Sequence, residues 1–279
     1  MGKRNRKRVA WLLSASLVMT SLGVLPGNLA AADAPEVTTI SDAAGFMDAV
    51  EQMREPNEGR KGKYRLTDDI ILTSENIVEP VETFEGEFNG DGHKIKGLRV
   101  VKDGKPAALF TTLQNKARIT NVTFAEINRE ETVSVSVDAE GLLAKKIQGE
   151  AEVSDVTFSS SSFAISKAAS RGSVAVSSVG LLAGELDGEA EISNVKIESS
   201  QIVVQGADSV SAAGLLAGKV QGQVKVKGVA AVTGSAVTVD GASREVGGIL
   251  GSISGERIGQ CENHATVTCV KGEMVGGIV

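Results

Sequence analysis

The sequence is poor in the residue types on which most recognisable active sites depend. Its 279 residues include two histidines, two cysteines and five prolines, and aromatic residues make up 3%. His93 and His264 stand outside any His-Glu-x-x-His arrangement, the motif that puts two imidazoles and a general base on one helix face to bind zinc. Residues 164–279 contain no aromatic residue, so this part lacks the platform on which sugars commonly stack.

The charge balance argues against polyanionic partners. The chain has 35 acidic and 29 basic residues, a net charge of -6. Its first 32 residues contain no acid, so the remainder is more acidic still. Nucleic acids and anionic membranes are bound through a basic footprint, and we therefore expect neither as a partner. The basic residues of the first segment are Lys3, Arg4, Arg6, Lys7 and Arg8.

Residues 1–32 have the pattern of a secretory signal peptide. A basic start precedes the apolar run Val9–Leu25, and the small residues Leu29-Ala30-Ala31-Ala32 follow. We expect cleavage after Ala31 or Ala32, secretion or display at the cell surface, and no membrane span afterwards. The alternative is an uncleaved anchor, for which the run is weak because it contains serine and threonine.

Glycine is abundant, at 32 residues, and much of it belongs to a repeated apolar word. Variants of the word Gly-Leu-Leu-Ala-Gly start at residues 107, 141, 180, 214, 247 and 276. Repeats of about 34 residues indicate stacked units, none of which can bury its apolar side alone. The positions that we expect to carry the structure are Gly141, Leu143, Gly180, Leu182, Gly184, Gly214, Leu216, Gly218, Gly247, Ile249 and Gly251.

The residues after each word also recur, and they predict the fold class. Aliphatic residues follow the start of the word by six, twelve and fifteen positions, as at Leu186, Ile192 and Val195. Within one unit we expect strands at Gly180–Leu186, Ala190–Glu198 and Ser200–Gln205. The sequence therefore predicts an all-β protein, a right-handed parallel β-helix or β-solenoid of about 34-residue coils.

A single amphipathic helix precedes the repeats. Ser41–Arg54 places Phe46, Ala49, Val50 and Met53 on one apolar stripe, and Ser41 is the expected N-cap. We expect the helix to cover the open end of the first coil; a partner-binding helix is the alternative. The predicted organisation is a signal at 1–32, a linker with the short capping helix at 33–60, and the β-solenoid at 61–279.

Cys261 and Cys269 allow two interpretations. Secretion permits a disulfide between them. Cys261 falls where the other repeats have an aliphatic residue such as Val195, which favours two buried thiols acting as small hydrophobic side chains.

Two polar segments are better explained by structure than by chemistry. Asp68-Asp69 and Asn89-Gly90-Asp91-Gly92 offer oxygen ligands for calcium, but turn formation accounts for both. The serine run Ser159–Ser162 and the segment Ser166–Ser178 are expected to form a surface excursion. We predict no metal, no cofactor and no catalytic residue.

A family resemblance rests on the order of three segments. Tyr64–Ile70, then Phe84–Gly97, then the Gly-Leu-Leu-Ala-Gly words resemble bacterial surface proteins with GLUG motifs. They are also similar to the β-helical, non-catalytic N-terminal region of the immunoglobulin A-specific metallopeptidases of Gram-positive bacteria. The resemblance covers roughly residues 40–279 and implies a β-helix at the bacterial surface. The peptidase activity does not carry over, because the zinc motif is absent from this sequence.

Three functional hypotheses follow. The first is a non-enzymatic, adhesin-like binding or stalk module whose partner is an extracellular protein, a glycan or the cell wall. The second is the accessory region of a larger surface metallopeptidase, truncated before its catalytic domain; the opening of a further repeat at Gly276-Gly277 led us to expect a fragment. The third is a polysaccharide-active β-helix, which requires acidic residues gathered with an arginine or lysine.

Overall fold

A computed structural model describes residues 36–56, 58–169, 172–254 and 257–279. The predicted signal peptide at residues 1–32 lies outside this part of the chain. Strands dominate the described residues, which contain one α-helix, α1 (Ala43–Arg54), and a short 3₁₀ helix, Gly59–Lys61. In the described part of the chain, no helix has both the length and the apolar character needed to cross a membrane.

Helix α1 forms where the periodicity predicts it and begins one residue later than expected. Asp42, not Ser41, is the N-cap, because its Oδ1 accepts a hydrogen bond from the Gly45 N–H at 2.7 Å. The predicted stripe is confirmed, since the four apolar side chains are buried. These side chains are Phe46, Ala49, Val50 and Met53.

Nine strands precede the first word, which starts at residue 107. They are β1 (Val37–Ile40), β2 (Lys63–Leu66), β3 (Ile70–Ile71), β4 (Ile77–Val78), β5 (Val81–Phe84), β6 (Glu87–Asn89), β7 (Lys94–Lys96), β8 (Arg99–Lys102) and β9 (Lys105–Pro106). Strand β1 pairs in register with β2, so the segment predicted as a linker contributes to a sheet. Strands β8 and β9 form an antiparallel hairpin.

Twenty further strands cover the repeats. They are β10 (Phe110–Leu113), β11 (Arg118–Ala125), β12 (Asn128–Val133), β13 (Val137–Gly141), β14 (Ala144–Ile147), β15 (Glu152–Ser159), β16 (Ser162–Lys167), β17 (Ala175–Gly180), β18 (Ala183–Leu186), β19 (Glu191–Ser193), β20 (Lys196–Glu198), β21 (Gln201–Ala213), β22 (Ala217–Val220), β23 (Lys225–Lys227), β24 (Ala230–Ala231), β25 (Ala236–Gly247), β26 (Leu250–Ile253), β27 (Arg257–Gly259), β28 (Glu262–Asn263) and β29 (Thr266–Gly276).

These strands form three large parallel sheets, and neighbours within a sheet come from successive repeats. The first sheet runs β1-β2-β6-β11-β15-β19-β23-β27, with shorter strands beside it. The second runs β5-β10-β14-β18-β22-β26. The third contains β12, β13, β16, β17, β21, β25 and β29, and a small fourth sheet contains β4, β8 and β9. We call the set of strands that one repeat contributes a layer.

Equivalent aliphatic residues pair in register from layer to layer, as the spacing predicts. The positions six residues after each word start form one ladder, Leu113, Ile147, Leu186, Val220 and Ile253. The positions twelve residues after four of the word starts, and eleven after the start at 247, form a second ladder, Ile119, Val153, Ile192, Val226 and Ile258. Leu182, Leu216 and Ile249 belong to one continuous core. Burial of apolar surface along these ladders is the main stabilising term.

The repeated word lies at a corner rather than inside a strand. Strand β17 ends at Gly180 and β18 begins at Ala183, so the predicted strand Gly180–Leu186 is broken at its start. The sequence left open which of Leu181, Leu182 and Ala183 face inward, and all three are fully buried. A Cβ on Gly180 would lie 2.6 Å from the Cα of Ala217 in the next layer. Glycine is therefore required here by close backbone approach.

A second corner divides the strand predicted at Ala190–Glu198. Asn194 has φ 52°, which ends β19 and starts β20. The same left-handed backbone recurs at the equivalent position of each layer, where asparagine and glycine are best tolerated. The recurring residues are Asn121, Asp155, Asn194, Gly228 and Gln260.

One residue of the serine run, Ser161, belongs to the core, and at that position the predicted surface excursion is wrong; Ser160 beside it is exposed. Ser161 is buried, and so are Ser200 and Ser235 at the equivalent positions of the following layers. The Ser161 N–H donates to Ser200 Oγ at 3.1 Å, and the Ser200 N–H donates to Ser235 Oγ at 3.4 Å. Each buried hydroxyl therefore satisfies a main-chain donor of the layer before it. The predicted excursion at residues 166–178 begins in β16 and ends in β17; between these strands the described residues at 169, 172 and 173 are exposed, and residues 170–171 lie outside the described part of the chain.

Candidate functional site

The hairpin of β8 and β9 interrupts the regular stacking and creates a groove. Strand β12 pairs with β16 on one side, and the hairpin, not a parallel strand, lies on its other side. Three adjacent cavities surround the hairpin, with volumes of about 240, 290 and 350 Å³. We call these three cavities together the hairpin groove.

The three cavities share lining side chains, so they lie next to one another. Arg129, Pro106 and Ala107 line both the 240 and the 290 Å³ cavities. Pro80 and Lys102 line both the 290 and the 350 Å³ cavities. Arg129 therefore lies where two of the cavities meet.

Arg129 is the centre of a buried group of charges, with its side chain 4% exposed. Its Nη2 donates to Glu131 Oε2 at 2.8 Å and to Glu140 Oε2 at 2.7 Å, and its Nη1 donates to the Gly141 carbonyl at 2.6 Å. The other oxygen of Glu140 accepts from Lys145 Nζ at 2.6 Å. We call Arg129, Glu131 and Glu140 the charged step.

The charged step occupies positions that are apolar in the following layers. Register pairing aligns Arg129 with Phe163, Ile202 and Val237. Glu131 aligns with Ile165, Val204 and Val239, and Glu140 aligns with Val179, Ala213 and Val246. Buried ion pairs rarely add stability over apolar side chains, because desolvation offsets their attraction. Three charged residues at otherwise apolar positions come together beside the hairpin groove, and we therefore treat this place as a candidate functional site.

One donor of the charged step has no partner. Arg129 Nε is buried and makes no hydrogen bond to the described residues. The guanidinium lies over the Phe163 ring, 4.5 Å from its centroid, which is cation–π geometry. The planar group is thus held on one face and at its tip, while the Nε–H is left without an acceptor.

The rim of the groove carries charges of both signs. In the described part of the chain, Arg99, Lys105, Asp103 and Glu130 take part in no ion pair. Lys102 does pair, with Glu82, and the hydrogen bond between them lowers the pKa of Glu82 and raises that of Lys102. The groove therefore offers donors and acceptors together.

The repeat positions predicted from sequence lie in the stacked core. Two of them lie against the charged step: Gly141 through its carbonyl, and Gly184 beside the Glu140 main chain. The other predicted leucine and isoleucine positions are fully buried or nearly so. The charged step itself was missed, although aligning the repeats would have revealed it as three charged residues at apolar positions.

The two cysteines are free thiols in the structure. Cys261 packs against the core and is partly buried, and this burial raises its pKa. Cys269 Sγ lies 2.7 Å from Ser243 Oγ.

The acidic turns near Asp69 and Asp91 are occupied by protein groups. Asp69 accepts from the Lys94 N–H and pairs with Lys94 Nζ, both at 3.0 Å, and these contacts lower its pKa. Asn89 Oδ1 accepts from the Asp91 N–H at 2.8 Å. Within the described ranges, no group of three or more histidine, cysteine or acidic side chains is arranged to hold a metal ion.

Comparison with known proteins gives little guidance. No protein-family model matches the chain, and no curated protein matches it. A solved structure of SRRP from L. reuteri 53608 aligns at a TM-score of 0.25 and 11% identity, over 86% of this chain and 99% of that one. A TM-score this low supports no inference about fold or function.

Proposed function

We propose that the chain is a right-handed parallel β-helix, a β-solenoid with α1 as its cap, and that it serves outside the cell as a non-enzymatic, adhesin-like binding or stalk module. The observation that supports this proposal is the in-register pairing of equivalent residues through successive layers. Such stacking makes a rigid element whose outer faces and exposed grooves can hold a ligand away from an attachment point. The order of segments shared with GLUG-motif surface proteins is consistent with this role.

The extracellular location rests on the sequence of residues 1–32. A fusion of these residues to a reporter in a bacterial host should be exported and processed after Ala31 or Ala32, as N-terminal sequencing of the product would show. Retention of the whole fusion in the cytoplasm would contradict the location.

The binding role is tested by presenting the purified chain with three classes of partner: extracellular matrix proteins, glycans and cell-wall polymers. We expect saturable binding to at least one class in a surface-plasmon-resonance experiment. If none of the three classes binds, the binding role is refuted and only the stalk role remains.

A polysaccharide-active β-helix is the second candidate, and the charged step is the observation that favours it. Glu131 and Glu140 come together with Arg129 and Lys145, as such a site requires. However, both carboxylates bond the same Arg129 nitrogen, which ties them to charge pairing. Release of reducing ends from a polysaccharide panel, abolished by Glu131→Gln, would establish this activity; no release would remove it.

A further inference from the structure

The hairpin groove combines features that point to one class of ligand, and we propose that it binds a short stretch of a glycan, with the unpaired charges of its rim bonding the sugar hydroxyls. This assignment rests on the binding role proposed above. It adds the place of binding and the chemistry of the ligand.

The mixture of charges on the rim favours sugar hydroxyls over a simple anion. Arg99 and Lys105 supply donors, while Asp103 and Glu130 supply acceptors, and none of the four has an ion-pair partner among the described residues. A sugar hydroxyl donates and accepts at once, so it can use both kinds of group. A phosphate or carboxylate would gain from the cations and be repelled by the acids.

The charged step completes this argument from inside the groove. The buried Nε–H of Arg129 lacks an acceptor among the described residues, and an unsatisfied buried donor is destabilising. Arg129 lines two of the cavities, so the charged step forms part of the groove wall, although Nε itself is closed to solvent. The contacts to Phe163, Gly141 and the two glutamates fix the guanidinium in advance, which lowers the entropic cost of binding.

The shape of the groove suits several sugar units in a row. Its three cavities adjoin one another through shared side chains. Pro106 and Ala107, both partly exposed, provide apolar surface against which the C–H faces of a sugar ring can pack. An extended peptide added to β12 fits less well, because β9 lies beside that edge and Pro106 has no N–H to give.

The test is isothermal titration of the full chain with two neutral tetrasaccharides, cellotetraose and chitotetraose, and with a capped Thr-Val hexapeptide. We expect at least one tetrasaccharide to bind at one-to-one stoichiometry. Arg99→Ala and Glu130→Ala, both at exposed positions, should each weaken that binding by about tenfold. The matched controls Arg244→Ala and Glu273→Ala alter an exposed Arg–Glu pair in later layers and should leave the affinity unchanged.

Three results would overturn the assignment: no tetrasaccharide binding at millimolar concentration, binding that the groove variants leave intact, or binding of the hexapeptide in place of the sugars. If sugars fail while a matrix protein or wall polymer binds, the glycan assignment falls and the proposed function stands. If nothing binds, both binding claims fall.

Discussion

The layers after residue 141 and those before it differ in the residues that fill the core positions of the third sheet. In the later layers, residues 141–279, every ladder aligned with the charged step is apolar, and one corner of each layer is built from the repeated word. In the first layers, residues 36–140, the third sheet begins beside a hairpin and its core positions carry an arginine and two glutamates. The repeated apolar residues therefore specify the stacked framework, and the charged residues that replace them in the first layers mark where a site can be built.

The largest expected effect comes from breaking a corner in the later layers. A Cβ on Gly218 would lie 2.3 Å from the Val179 main-chain N and 2.8 Å from Ser178 Cβ. Because backbone must move to admit it, Gly218→Ala should lower the free energy of unfolding by about 4 kcal/mol. Gly259→Ala, with no atom within 4 Å of its Cβ, is the control and should change little. Equal denaturation midpoints for the two variants would contradict the packing of the corners.

The next effect comes from converting the charged step to the chemistry of the later layers. Arg129→Met leaves Glu131 and Glu140 buried without their shared partner and should cost about 3 kcal/mol in chemical denaturation. The triple variant Arg129→Phe, Glu131→Ile, Glu140→Val installs the residues of the next layer. It should recover most of that loss, because apolar replacements of a whole buried ion cluster are often neutral. A triple variant less stable than the single one would show that these positions are not equivalent to the later ladders.

The fold could be predicted from sequence to a considerable degree, and the site could not. The spacing of residues such as Leu186 and Ile192 predicted the ladder partners correctly, because register in a buried sheet is set by the apolar pattern. The corner at Asn194 was missed, since its left-handed backbone lies inside a run that alternates like one strand. The groove was missed because a cavity depends on how the hairpin β8–β9 leans against β12, which periodicity does not encode.

A smaller effect is expected on the pH dependence of stability, through Glu85 in the first layers. The hydrogen bond from Gln114 Nε2, at 2.9 Å, lowers the pKa of Glu85, and the ion pair with Arg60 at 3.1 Å adds to it. A carboxyl with a lowered folded-state pKa stabilises the fold above its unfolded pKa, about 4.3, and this contribution is lost as the pH falls through the folded value. Thermal unfolding should therefore show a stronger acid sensitivity for the parent than for Glu85→Gln. Identical pH profiles would mean that this contact contributes nothing.

The smallest effect is expected at Cys261. The pairing of β24 with β28 aligns Cys261 with Val229 of the preceding layer. Val229 is fully buried, whereas Cys261 is partly buried. Cys261→Val restores the aliphatic residue and should shift the free energy of unfolding by no more than about 0.5 kcal/mol. Oxidising conditions should leave its stability unchanged as well. A large loss on substitution would point to a disulfide with Cys269.

The most direct test of in-register stacking is a set of spin-label distances along the second sheet. Thr83 lies in register with Glu185, Lys219 and Ser252 through successive pairings. In a chain whose two cysteines are replaced by valine, a label at residue 83 paired with labels at 185, 219 and 252 should give distances of about 14, 19 and 24 Å, one strand spacing per layer. Distances that fail to increase by one spacing per repeat would contradict the stacked ladders on which the account depends.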